Sequence, residues 1–147
     1  MSNTIKLHEA VKRGDLVGMR TLLDGDSRLV NARSETDARG TFPLHVAAEF
    51  GQAAAAQLLL EHGADVTLLD VENDAIPLCW AAFFGRAEVV ADLLKAGSEV
   101  SARNKHGLTP LGCAIDGTRG RWKAFSNAAL EDWQKAADAI RAQGGAE

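Results

Sequence analysis

The stretch from residue 42 to residue 65, Phe-Pro-Leu-His-Val-Ala-Ala-Glu-Phe-Gly followed by an apolar run and a second glycine, constrains this chain more than any other. Pro43 has a fixed φ and no amide proton, so it suits the first turn of a helix and little else inside one. Leu44, Ala47 and Ala48 then share a face, and Gly51 can take the positive φ that ends a helix. A second run, Ala53 to His62, is apolar nearly all round and stops at Gly63. The spacing predicts helix, tight turn, helix, loop. A helix pair this short cannot bury both faces alone.

The chain supplies neighbours by repetition. Ile76 to Gly85 falls on Phe42 to Gly51 after a shift of 34 residues (76 − 42), and Leu93 to Gly97 falls on Leu59 to Gly63. A third copy, Leu108-Thr109-Pro110-Leu111-Gly112-Cys113-Ala114, follows 33 residues on (110 − 77). Proline, paired small residues and glycine recur in register. A period near 33 with a Thr-Pro-Leu-His-x-Ala-Ala core resembles the ankyrin repeat, over almost the whole chain. The resemblance implies an all-α ankyrin-repeat solenoid of helix-turn-helix units joined by extended loops. One domain is expected over 1–147, with repeats at about 4–36, 37–69, 70–103 and 104–147.

Two irregularities stand out. The first repeat spacing is 37 residues (Gly14 to Gly51), so the first loop is expected to protrude. In the last repeat, the pattern breaks after Ile115-Asp116-Gly117 and resumes with Trp133, Ala136, Ala137 and Ile140, an apolar stripe fit for a C-terminal cap helix starting near Trp133. Residues 118–131 then form an insertion, similar to that in the last repeat of some bacterial ankyrin proteins. It carries net charge +2 (Arg119, Arg121 and Lys123 against Glu131), leaving −6 for the rest of a chain of −4. At the other end, Leu7, Ala10 and Val11 face inward while Lys6, His8, Glu9 and Lys12 face water, as a terminal repeat requires.

The acidic balance argues against nucleic acid or an anionic membrane as the main partner. No apolar run reaches the roughly 20 residues that cross a bilayer, and the first residues lack a secretory signal core. Cys79 and Cys113 form no CxxC and read as small buried residues in a reducing compartment, so a cytoplasmic protein is expected.

No nucleophile elbow, phosphate loop, dinucleotide fingerprint or zinc spacing is present. Catalytic residues, cofactors and metals are therefore expected to be none. In the family, the histidine at His45 is structural; the other reading makes it a base with Glu49 (i, i+4), or sets Glu49 beside Asp116 across the groove. Phe42 and Ile76 stand where the family has a capping threonine, whose loss costs about 1 kcal/mol. Either they pack under the loop, or the loop tips were changed for a ligand.

Transferring the family's variable surface positions gives a partner-binding surface. On the loops it comprises Arg39, Thr41, Glu72, Asn73, Lys105, His106 and Leu108; on the helices Glu49, Phe50, Phe83, Phe84 and Asp116. Phe50, Phe83 and Phe84 would form an aromatic patch with a polar rim, unless a ring turns inward against Trp80. In the insertion, Arg121-Trp122-Lys123 with Phe125 is either a weak nucleic-acid patch or places Trp122 on the cap. The resemblance implies a non-catalytic protein–protein interaction module, monomeric alone, that binds another protein in its concave groove. The alternative is a small groove enzyme or small-molecule binder using His45, Glu49 and Asp116 around Phe50, Phe83 and Phe84.

Overall fold

A computed structural model describes all residues from 1 to 147. The chain forms eight α-helices, a short 3-10 helix and no strand. They are α1 (Asn3–Arg13), α2 (Leu16–Gly25), the 3-10 helix (Ser27–Asn31), α3 (Pro43–Phe50), α4 (Ala53–Glu61), α5 (Pro77–Phe83), α6 (Ala87–Lys95), α7 (Pro110–Thr118) and α8 (Leu130–Ala142). Consecutive helices pair, and the pairs stack: α1, α3, α5 and α7 make one row, and α2, α4, α6 and α8 the other. This is the solenoid the repeat implies.

Local chemistry sets the helix ends. Pro43, Pro77 and Pro110 open α3, α5 and α7. Gly51 and Gly85 follow α3 and α5 at φ 68° and 70°, a region open to glycine at no steric cost. Thr109 caps α7 by accepting the Gly112 N–H at 3.1 Å. Phe42 and Ile76 make no such cap; both are buried, as the simpler reading expects. In α3 the reciprocal bond is made instead: His45 Nδ1, three residues in, accepts the N–H of the N-cap residue Phe42 at 3.2 Å.

Small residues on the inner row (Ala47, Ala48, Ala81, Ala82, Ala114) are almost fully buried and let the helices approach closely. The long loops are stitched sideways: Val71 N–H donates to Arg39 C=O at 2.8 Å, and Lys105 N–H to Asn73 C=O at 2.7 Å. Asp70 organises the second internal loop, accepting the N–H groups of Asn73 (2.8 Å) and Ala75 (3.0 Å) and the indole N–H of Trp80 (3.0 Å).

Three expectations are corrected. The longer first loop does not protrude: it coils into the 3-10 helix, and Leu29 and Val30 join the core. His8 does not face water; it is buried, with Nε2 2.9 Å from the Ala32 carbonyl. The last helix starts at Leu130, and α7 runs through Thr118, so the connection between them spans 119–129. The stripe Trp133, Ala136, Ala137, Ile140 is buried as expected. Both cysteines are buried and unpaired, and burial pushes their thiols up, that of Cys113 to about 12.

One carboxylate on the outer row is poorly served. Asp92 in α6 accepts from Gln57 Nε2 at 3.3 Å through Oδ1, while the buried Oδ2 has no partner. Burial therefore raises its pKa. The charged form costs stability above the folded-state pKa, and the cost disappears as pH falls below the unfolded one. Asp92→Asn is expected to stabilise the fold at pH 7 by about 0.5–1 kcal/mol, read as a higher urea midpoint, with no gain at pH 3.

Candidate functional site

Helices α5 and α7, the tips of the three internal loops and the α7–α8 connection converge on one open-mouthed cavity of about 570 Å³. Its floor begins with Trp80, which is held on three sides. Asp70 takes its N–H, the His45 ring meets it edge-on at 5.1 Å, and the Arg39 guanidinium lies 4.9 Å from its centre. Phe84 leans on Trp80 at 5.9 Å and Phe83 stands edge-on to Phe84 at 4.9 Å. One ring of the expected patch thus turns toward Trp80; the other faces elsewhere.

Phe83 faces the connection. Trp122 lies over it at 4.5 Å with the planes 30° apart, and Phe125 approaches at 5.8 Å. Trp122 does not pack on the C-terminal cap helix; it folds onto the groove, donating its indole N–H to the Cys113 carbonyl at 2.8 Å. Ser126 Oγ donates to the Phe84 carbonyl (2.6 Å), and Arg86 donates to Asn127 Oδ1 (2.6 Å). The connection is pinned across the ends of α5 and α7 and forms one wall of the cavity.

The expected site residues divide into two groups. Arg39, Glu72, Asn73, Phe83, Phe84, His106 and Leu108 line the cavity, with Arg121 and Trp122 of the connection. The others do not. Thr41 is buried with an unpartnered hydroxyl, so its loop position turns inward. Phe50 has no aromatic neighbour; its ring lies under Lys12 of α1 at 5.2 Å, so the three phenylalanines do not form one patch. Lys105 is exposed and joins the loop stitching through its backbone. Glu49 is drawn to Arg39 (2.8 Å) and Asp116 to Arg121 (3.2 Å), and neither lines the cavity.

The sequence reading missed Phe125 and Trp80 as walls. Both rings were visible in the sequence. What was not visible was that the connection folds toward α5, which depends on contacts between residues about 40 positions apart.

The acid–base reading loses its geometry here. His45 is fully buried, with Nδ1 accepting from Phe42 N–H and Nε2 donating to the Ala75 carbonyl at 2.9 Å. Burial pulls its pKa down to about 4, so the ring is neutral at pH 7. Arg39 holds both Asp37 and Glu49, and its guanidinium pKa is raised by these partners. His45, Glu49 and Asp116 each already have their partners and are not gathered around a common space. No cluster of histidine, cysteine or acidic side chains suited to a metal ion is present. No helix is long and apolar enough to cross a membrane.

A sequence profile for ankyrin repeats (three copies) matches residues 3–70, and one for a single ankyrin repeat matches 73–105. The chain is similar to the E3 ubiquitin-protein ligase KEG of Arabidopsis thaliana, 32% identical over 74% of this chain and 7% of that protein. It is 33% identical to the ankyrin repeat and SAM domain-containing protein 6 of Rattus norvegicus over 70% of this chain and 11% of that protein. It is 39% identical to Rabankyrin-5 of Mus musculus over 58% of this chain and 7% of that protein. The matched stretch is therefore a small part of each relative.

Proposed function

This chain belongs to the ankyrin-repeat family, whose repeats are generally protein-interaction modules, and we propose that it is a non-catalytic module holding another protein at the cavity between α5, α7 and the α7–α8 connection. The observation that supports this reading is the convergence of Phe83, Phe84, Trp122 and Phe125 on one opening. Aromatic side chains in a concave, water-excluding setting are the usual energetic centres of interfaces. Phe125 is 63% exposed and available to a partner without rearrangement. Repeat stacking keeps the surface rigid, which limits the ordering cost of association. Glu72, Asn73 and His106 supply a polar rim.

Phe125→Glu should leave folding unchanged, because the ring is mostly in water, and should weaken capture of a specific partner from a native lysate by about tenfold or more. Phe83→Ala should do the same at some cost in stability. Phe50→Glu should leave capture intact, since Phe50 stands apart. Quantitative mass spectrometry of the captured proteins reads all three. Retention of every specific partner by folded Phe125→Glu and Phe83→Ala would falsify the proposal. Loss through Phe50→Glu alone would move the interface to the α1–α3 side.

A further inference from the structure

The charge around the cavity is not evenly spread. The α7–α8 connection places Arg119, Arg121 and Lys123 within five positions, and no acidic residue occurs from 118 to 130. The carboxylate within ion-pair distance of them is Asp116, 3.2 Å from Arg121 and 3.9 Å from Arg119. Of the three cations Arg121 lines the cavity and Arg119 and Lys123 flank it along the chain; Asp116 pairs with the two arginines, and Lys123 makes no ion pair. All three are exposed, on a chain that would otherwise carry −7 (−4 − 3). The opposite lip is different: Glu72 lines it, exposed and without a salt-bridge partner. Arg39, although it touches the cavity, is neutralised by Asp37 and Glu49.

The floor between these lips is aromatic, and its volume of about 570 Å³ lies inside the roughly 300–1,000 Å³ range of ligand clefts. That is more room than one side chain fills, so an occupant must bring flanking atoms. Polar groups that could meet a backbone are also free. Asn104 spends its Oδ1 on the His106 and Leu108 amides, while its Nδ2 has no partner in the chain. Arg121 donates to Asp116 through Nη1 alone.

We propose that the cavity receives an aromatic side chain of a partner segment that continues into acidic residues along the 119–123 lip. This rests on the reading above that a protein partner occupies the groove, and it adds the chemistry of the contacting segment. The aromatic ring enters among Phe83, Trp122 and Phe125, and the carboxylates lie beside Arg121 and Lys123. Glu72 on the far lip sets the direction, because an acidic run laid the other way would meet like charge.

Isothermal titration of the full chain with four probes tests this. They are acetyl-Trp-Glu-Asp-Glu-amide, acetyl-Trp-Lys-Lys-Lys-amide, acetyl-Ala-Glu-Asp-Glu-amide and indole-3-acetate. The acidic tryptophan peptide should bind, and the lysine and alanine peptides should each bind at least about tenfold more weakly. Raising salt from about 20 to 200 mM should weaken the acidic peptide more than the lysine peptide. Lys123→Glu, a change at an exposed side chain, should weaken the acidic peptide about fivefold or more and narrow its lead over the lysine peptide. Equal or tighter binding of the lysine peptide overturns the proposal, as does absence of binding by the acidic peptide at millimolar concentration. Indole-3-acetate binding as tightly as the acidic peptide also overturns it, assigning the cavity to a small aromatic acid. If Phe125→Glu abolishes partner capture while no charge preference is found, this inference falls and the interaction reading stands. If the peptides behave as expected but capture survives in the phenylalanine variants, the interaction reading falls and this inference falls with it.

Discussion

Replacing Gly117 with alanine is expected to cost at least about 3 kcal/mol, a large part of the 5–15 kcal/mol that holds a typical domain together. Gly117 is buried in α7, and a Cβ there would lie 2.0 Å from Cδ1 and 2.3 Å from Nε1 of Trp133. The indole cannot retreat. Its other side faces Gly85, where a Cβ would lie 2.8 Å from Cε2, and its N–H is committed to the Phe83 carbonyl at 2.9 Å. Trp133 is fully buried. An added methyl must therefore push α8 away from α7, with loss of a buried hydrogen bond and of packing across both rows. Gly112, five residues earlier in the same helix, has nothing within 3.4 Å of an added Cβ; its nearest atom is Thr109 Oγ1 at 3.5 Å. Gly112→Ala should therefore gain about 0.5–1 kcal/mol from helix propensity. Urea unfolding followed by circular dichroism should show the two variants moving in opposite directions. A cost below about 1 kcal/mol for Gly117→Ala would mean that Trp133 is not clamped between the two glycines.

His45→Ala is the second large effect, expected to cost about 3–4 kcal/mol. The ring fills a fully buried site, accepts the N–H of Phe42 at the start of α3, and ties that helix to the next loop through Ala75. Removal leaves the Phe42 N–H and the Ala75 carbonyl without these partners and leaves a void beside Trp80. The same residue imposes a pH dependence. Burial lowers its pKa from 6.5 to about 4 despite the Ala75 bond and Asp70, which act in the opposite sense; Arg33 and Arg39 add to the lowering. The unfolded chain therefore takes up a proton at a pH where the fold still refuses it. The stabilisation is complete above pH 6.5 and is lost as pH falls through about 4, a span of about 3 kcal/mol. His8, also lowered by burial, adds in the same direction. Urea midpoints measured from pH 7.5 to 4 should fall steeply for the natural chain and less steeply for His45→Gln. Identical slopes in the two proteins would remove His45 as the origin.

The two sites show why some features were legible and others were not. His45 could be assigned a structural part because the frame around it, proline before and paired alanines after, resembles the ankyrin repeat, and that resemblance implies a structural histidine there. Its ring bonds reach an element whose place the repeat already implies. Thr41, which is buried, and Phe50, which is exposed but stands apart from Phe83 and Phe84, depart from the expected patch for the opposite reason. A family-wide surface position fixes which way the backbone faces on average, whereas the actual exposure depends on the neighbouring repeat. Lys12 of α1 happens to lie over Phe50, and the loop closes over Thr41.

By itself the sequence determined the repeat period, the helix pairs, their proline starts and glycine stops, and the stacking that follows, because each of these depends on local geometry repeated in register. The tertiary structure alone decided what the non-repeating segment does. Trp122 and Phe125 close over Phe83, and Trp133 wedges between glycines of two different repeats. Those placements depend on contacts between residues far apart in the chain, and no periodic pattern encodes them. They also wall the concave groove expected from the repeats into an aromatic cavity with one basic lip.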